Sequence, residues 1–178
     1  MIREIQIENY KSIQKLKLNL GQVTVLIGEN GSGKSNILEA IALASAAANG
    51  KLDHEFLFSR GIRVTEPLFI SENTPKFFAI DNIDASLNPK LCSQLMKELV
   101  ELAKKYNKQV IFTTHNPAIL DGLNLDDEEQ KLLVIYRNKL GHTKARYVDK
   151  PEPLEGQEPV KLSEAFLRGY IGGIPRNF

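Results

Sequence analysis

No stretch of these 178 residues holds about 18 consecutive apolar side chains, so no segment reads as a membrane-spanning helix. Cysteine occurs once, as Cys92, which excludes an internal disulfide and fits a reducing cytoplasm. That residue reads as a small apolar side chain on a helix. Net charge is scarce: 23 Lys and Arg face 22 Asp and Glu, and the formal total of +1 supplies no global basic field for nucleic acid or an anionic membrane. The opening residues, MIREIQIENY, alternate apolar and polar in the manner of a strand and not of a signal peptide. What is present is ordinary for a soluble globular protein, 42% hydrophobic and 25% charged, at a length that suits one domain with a sizeable core.

The chain alternates strand and helix patterns and shows no internal repeat. Ile2, Ile5 and Ile7 open an edge-like strand, and Leu16, Leu18 and Leu20 alternate again after the turn-like NYKSI. VTVLI (23–27), KFFAID (76–81) and QVIFTTH (109–115) are short apolar runs of the buried-strand type. A helix is expected over about 35–48, with Ile37, Leu38, Ile41, Ala44 and Ala48 on its core face. A second, capped by Asn88 and opened by Pro89, is expected to reach Tyr106 with Leu91, Leu95, Leu99, Leu102 and Tyr106 as its core stripe. Two strands around Gly141 and a last short helix within 161–178 complete the pattern. Strands alternating with helices imply an α/β layer fold with a mainly parallel central sheet flanked by helices. Residues 1–150 read as one head, and 151–178 as an acidic, Pro-rich connector and a short helix that packs on the head or on a partner. Residues 58–75, FSRGIRVTEPLFISENTP, have no clear period and join two well-formed βα units.

GENGSGKS, Gly28 to Ser35, matches G-x-x-x-x-G-K-[ST] at every fixed position. Gly28, Gly31 and Gly33 let the backbone curl and bring its N–H groups onto phosphate oxygens. The loop, with Glu29, Asn30 and Ser32 between those glycines, feeds a helix N-terminus that begins with Lys34, Ser35 and Asn36 and favours an anion. Lys34 is placed to reach the β- and γ-phosphates of ATP, and the Ser35 hydroxyl to coordinate Mg²⁺. Asp81 ends an apolar strand and can hold the same Mg²⁺ through water from the neighbouring strand end; the alternative is a turn or capping acid. His115 also terminates an apolar strand, where an imidazole can hydrogen-bond a γ-phosphate; the alternative is an ordinary surface or core histidine. His54 and His142 have no such context.

IREIQIENYKSI followed by VTVLIGENGSGKSNILEAI, then FFAIDNIDASLNP, then QVIFTTHNPAIL, resemble in this order the ABC-type AAA family ATPase heads of the RecF/SMC/OLD group. The resemblance covers residues 1 to about 50 and 76 to about 136. It implies a P-loop NTPase fold, two ATP molecules sandwiched between the heads of a homodimer, action in DNA repair, chromosome handling or antiphage defence, and an effector partner such as a nuclease. SLNP resembles the segment that reaches across the head dimer, and TTHNP the switch-histidine motif. Three departures stand out. No LSGG-type signature precedes FFAID, no glutamine lies between Gln22 and Gln94, and the spacing from Lys34 to Asp81 is short where the group carries a helical lobe or coiled coil. An internal segment near 60–75 is therefore expected to be missing; the alternative is a naturally minimal head.

The position after Asp81, where the group has a glutamate that activates water, is Asn82. An amide takes no proton from water, so Asn82 can position a water but not act as its base. Asp84 has the right chemistry, either as a displaced base or as a turn-stabilising acid. Slow turnover is expected, with ATP acting mainly as a clamp. A non-hydrolysing ATP-sensing scaffold for an effector, a transporter ATPase subunit and a small-molecule kinase are the rival readings, in that order. Arg3, Lys11, Lys15 and Lys17 could form a DNA- or phosphate-facing patch or a solvated strand face, Tyr10 could stack on adenine or simply pack, and DDEE (126–129) reads as a solvated acidic loop.

Overall fold

The computed structural model describes residues 1–48, 70–83, 89–150 and 160–172. Strands β1 (Glu4–Tyr10) and β2 (Ile13–Asn19) pair antiparallel as a separate hairpin. The main sheet contains β3 (Val23–Ile27), β4 (Phe77–Ile80), β5 (Gln109–Thr114), β6 (Gln130–Arg137) and β7 (Thr143–Tyr147), in the order β4-β5-β3-β6-β7. The first four in that order are parallel, and β7 returns antiparallel to β6. Helices α1 (Lys34–Ala48), α2 (Pro89–Lys105) and α3 (Leu162–Leu167) and a 3-10 turn at Pro117–Gly122 cover the faces.

Because side chains alternate along a strand, each central strand feeds two cores. Val23, Val25 and Ile27 of β3, Val110 and Phe112 of β5, and Leu132 and Val134 of β6 pack on the face covered by α2 and α3. Leu26, Ile111, Leu133 and Ile135 point the other way, against α1 and the β1–β2 hairpin. Burial on both faces explains why VTVLI is an unbroken apolar run while β2, with one face covered, alternates.

Two helix stripes differ from the sequence-based expectation. On α2, Leu91 is 54% exposed, and the buried face is Cys92, Met96, Leu99, Val100 and Ala103. Both stripes share Leu99, but the 3-10 turn packs from the Cys92–Met96 side and rotates the buried face away from Leu91. On α1, burial stops at Ile41, and Ala44 and Ala48 are exposed. Cys92 is fully buried, as a small apolar residue should be. Asn88 and Asp84 lie outside the described residues, as does His54.

Polar side chains fasten the ends. Helix α3 docks on the 3-10 turn: the Ser163 backbone N–H and hydroxyl donate to the two Asp121 carboxylate oxygens at 2.9 and 2.7 Å, and Leu162, Ala165 and Phe166 enter the core. At the N-terminal ends of the strands, the buried Lys108 donates its ammonium to the carbonyls of Glu72 and Thr74 at 2.8 and 2.5 Å. The basic residues near the N-terminus are all paired, Arg3 with Glu129, Lys11 with Glu39, Lys15 with Glu8 and Lys17 with Glu4. They make a mixed, neutralised surface and no basic patch. In the acidic loop, Asp126 pairs with Lys150 and Asp127 with Lys104. Among the described residues no helix is long and apolar enough to cross a membrane.

Two outcomes follow for stability. Phe112 is fully buried, so Phe112→Ala should lower unfolding free energy by about 3–5 kcal/mol in urea titrations. The Lys104 ammonium and then the Gln130 amide, with a lesser contribution from the Glu129 N–H, hold the Asp127 carboxyl down from 3.8 to about 2 against the opposing effect of burial. A carboxyl depressed by folding stabilises the fold above its unfolded value and loses that contribution as pH falls through the folded one. The unfolding midpoint of the wild type should therefore drop between about pH 4 and pH 2 more steeply than that of Asp127→Asn, as followed by circular dichroism.

Candidate functional site

Strand register decides what meets at the C-terminal edge of the sheet. Ile27 lies opposite Thr114 on one side and Val134 on the other, while Ile80 lies opposite Phe112. One residue further along, Gly28 falls level with His115 and Ile135, and Asp81 falls level with Thr113. Sheet order corrects one expectation: Asp81 does not come from the strand beside β3, because β5 lies between β3 and β4. It reaches the loop across that strand.

The loop over 28–35 joins β3 to α1 and bounds a cleft of about 210 Å³, lined by Asn30, Gly31, Gly33, Lys34, Ser35, Asn36, Asn82, His115 and Arg137. Lys34 is buried and donates to the Gly28 and Glu29 carbonyls at 2.8 and 2.9 Å. Its ammonium also lies 3.4 Å from Nδ1 of His115. An ammonium has only donors, so a hydrogen bond across this contact has Nδ1 as its acceptor. The Ser35 hydroxyl donates to one Asp81 oxygen at 2.9 Å, and the Thr113 hydroxyl donates to the other. Four of the groups singled out from the sequence, Lys34, Ser35, Asp81 and His115, thus converge on one side of the loop. Glu29 and Asn30 are exposed, and Asp84 is outside the described residues.

Asn82 lines the same cleft, and its backbone explains part of its identity. Its φ is 51°, in the left-handed region that asparagine tolerates better than most residues. The backbone N–H donates to the Thr113 hydroxyl at 2.8 Å, fixing this turn beside Asp81. After His115, Asn116 caps the 3-10 turn through its side chain and also donates to the Cys92 sulfur at 3.3 Å, which ties this edge to α2.

The glycines are constrained from behind the loop as well as from its mouth. A Cβ on Gly28 would overlap the Ile135 carbonyl of β6, and one on Gly33, at φ 108°, would overlap the Thr143 hydroxyl of β7. Thr143 belongs to a chain of side-chain hydrogen bonds with a fixed direction. Its hydroxyl donates to the Ser32 carbonyl at 3.0 Å. A hydroxyl has one proton, so in the 2.7 Å contact between Ser12 and Thr143 it is Ser12 that donates. Ser12 in turn accepts from the Asn36 amide at 2.7 Å. Asn36 is therefore committed to the hairpin turn, and the hairpin to the loop. Ser12, Thr113, Thr143 and Arg137 are site residues that local pattern did not single out; the signal available was a pair of hydroxyls, Thr113 and Thr114, inside an otherwise apolar strand.

The donor set fits a Mg-nucleotide. Ser35 and Asp81 offer hard oxygen ligands of the kind Mg²⁺ takes, and Lys34 supplies positive charge beside backbone N–H groups at a helix N-terminus. Among the described residues the buried Ser32 hydroxyl finds no hydrogen-bond partner, an unsatisfied donor within the phosphate loop. Breaking the hydroxyl chain should loosen this loop. Ser12→Ala and Thr143→Val are each expected to destabilise the fold by about 1–3 kcal/mol, and the double variant by less than their sum, in a denaturant-based double-mutant cycle.

Comparison with known proteins finds similar segments and a shared fold. The sequence model of the family described as "AAA ATPase domain" matches residues 1–70, and that of an AAA domain described with "AbiEii toxin, Type IV TA system" matches residues 67–121. An uncharacterised protein of Methanocaldococcus jannaschii is 45% identical over 67 residues, covering 34% of this chain and 31% of that protein. The DNA replication and repair protein RecF of Bacillus thuringiensis is 40% identical over 55 residues, 30% of this chain and 15% of RecF. The matched segments thus span about a third or less of these relatives. In three dimensions the SMC head domain from Thermotoga maritima superposes with a TM-score of 0.57 at 14% identity, over 83% of this chain and 98% of that one. An SMC head bound to the C-terminal winged-helix domain of ScpA gives 0.52 at 12% identity, over 83% and 97%. These two share the fold. The chain thus has a P-loop NTPase fold, and its segments 1–70 and 67–121 are similar to AAA ATPase domains, with the phosphate loop, Asp81 and His115 placed as in ABC/AAA-type heads similar to those of the RecF/SMC group.

Proposed function

We propose that this head binds Mg-ATP as a clamp, turns it over slowly, and through it regulates a cytoplasmic DNA-associated or antiphage-defence complex. The observation that carries the reading is the convergence of Ser35, Asp81, Lys34 and His115 on one side of the loop, with Asn82 at the position facing them. Mg²⁺ held between the Ser35 hydroxyl and Asp81 would neutralise charge on the terminal phosphates. Thr113 orients Asp81, and Lys34 exchanges its two carbonyl acceptors for phosphate oxygens. Nothing in the Asn82 side chain accepts a proton from water, so the chemical step lacks the general base that contributes typically 10²–10⁴-fold.

By resemblance, two heads close on two ATP molecules; the SLNP segment that the resemblance implicates in that contact lies, up to residue 88, outside the described residues. The missing signature segment bears on this step. The two AAA models meet at residues 67–70, where the sequence also loses its period, and this supports an internal segment absent from this chain over a naturally minimal head. An effector or DNA partner is supported by the relatives: one SMC head is bound by ScpA, RecF is a replication and repair protein, and one matching family is described with a toxin–antitoxin system. The second reading, an ATP-sensing scaffold that does not hydrolyse, is favoured by the same Asn82.

Mg-ATP binding by calorimetry and phosphate release on the same protein test these readings. Wild type should bind Mg-ATP with very slow turnover, and Lys34→Ala should lose binding by two orders of magnitude or about that. Asn82→Glu should raise turnover about tenfold or more, less than a full general-base gain because glutamate is strained at this left-handed φ. Rapid wild-type turnover removes the clamp reading; zero turnover in both proteins selects the scaffold. Sedimentation with and without ATP checks dimerisation.

A further inference from the structure

We propose that Arg137 recognises the diphosphate part common to ADP and ATP and does not read the γ-phosphate, an inference that rests on the nucleotide reading above. The phosphate loop has two sides. On the β5–β4 side lie the Ser35–Asp81 bond and the Lys34–His115 contact, where Mg²⁺ and the terminal phosphate belong. On the other side β6 ends in Arg137, which lines the cleft. Its Nε donates to the Gly31 carbonyl at 2.6 Å and its Nη1 to the Gly141 carbonyl at 2.9 Å, so the guanidinium bridges the tip of the loop and the β6–β7 turn.

That placement separates Arg137 from a simple surface cation. Among the described residues it enters no ion pair, in contrast to Arg3 and Lys11 on the hairpin. Five N–H groups fan out from a guanidinium in one plane; with two engaged on backbone carbonyls, the head is oriented and the others remain for an anion. Phosphate is the anion this fork matches. Standing across the loop from the metal side, it meets phosphate oxygens that hydrolysis leaves in place. His115, on the metal side, is then the group that distinguishes ATP from ADP, and Arg137 the group that retains product.

Calorimetric titration of the whole chain with Mg-ADP and Mg-ATP tests this. Gln at 137 keeps an amide donor for the Gly31 carbonyl but no charge. Arg137→Gln should weaken ADP and ATP by one shared factor, roughly tenfold or more, while Arg137→Lys shows a smaller shared loss and His115→Ala weakens ATP more than ADP. A loss confined to ATP in Arg137→Gln, or equal affinities in wild type and both arginine variants, overturns the proposal. Should Arg137→Gln not fold, judged by the unfolding midpoint without nucleotide, Arg137→Lys decides by the same criterion, a shared loss against an ATP-only loss or none. If wild type binds neither nucleotide, or Lys34→Ala binds as well as wild type, it is the nucleotide reading itself that falls.

Discussion

Everything at this site hangs on the parallel pairing of β3 with β5 on one edge and β6 on the other. Parallel neighbours bring all their C-terminal ends to one side, so a loop leaving β3 must meet whatever β4, β5 and β6 end in. The register then sets which residue meets which. Gly28 is level with His115 and backs onto Ile135, and Asp81 is level with Thr113. A slip of one residue would turn each side chain to the opposite core, and the two-faced burial of Val25, Leu26 and Ile111 forbids it.

The second organising feature is the hairpin that precedes the sheet. It adds no strand to it, yet its turn supplies Ser12, the middle link between α1 and β7. The directed bonds from Asn36 to Ser12 to Thr143 to the Ser32 carbonyl enclose the phosphate loop from behind, as Asp81 and His115 border it in front. The paired charges on the same hairpin are exposed and contribute little to stability. Their effect is to neutralise the outer face of the hairpin, while Lys34 and Arg137 place positive charge along the cleft.

Much of this was legible in the chain itself. The phosphate loop follows from fixed spacing, and Asp81 and His115 from the polar residues that end apolar runs. The layer order and the antiparallel return at Gly141 follow from alternation of patterns. What local pattern could not supply was anything set by distant pairing. Ser12 and Thr143 are 131 positions apart, and Arg137 and Gly31 are 106 apart. Thr113 looked like a strand residue because it is one; only the insertion of β5 between β3 and β4 makes its hydroxyl the bridge to Asp81. Leu91 shows the complementary failure, since spacing finds a helical face but the neighbour that covers it fixes the angle. Asn82 required both kinds of knowledge: its amide was plain, its left-handed backbone was not.

Lys108 has a mechanical consequence. Its ammonium grips the turn over 71–74 at the end of the sheet away from the nucleotide, directly before the four residues of β4 that lead to Asp81. It acts as a cleat on a rope. Tension applied to the chain ahead of Ile70 is taken up by two charge-assisted bonds and passed into β5, whose first residue follows Lys108.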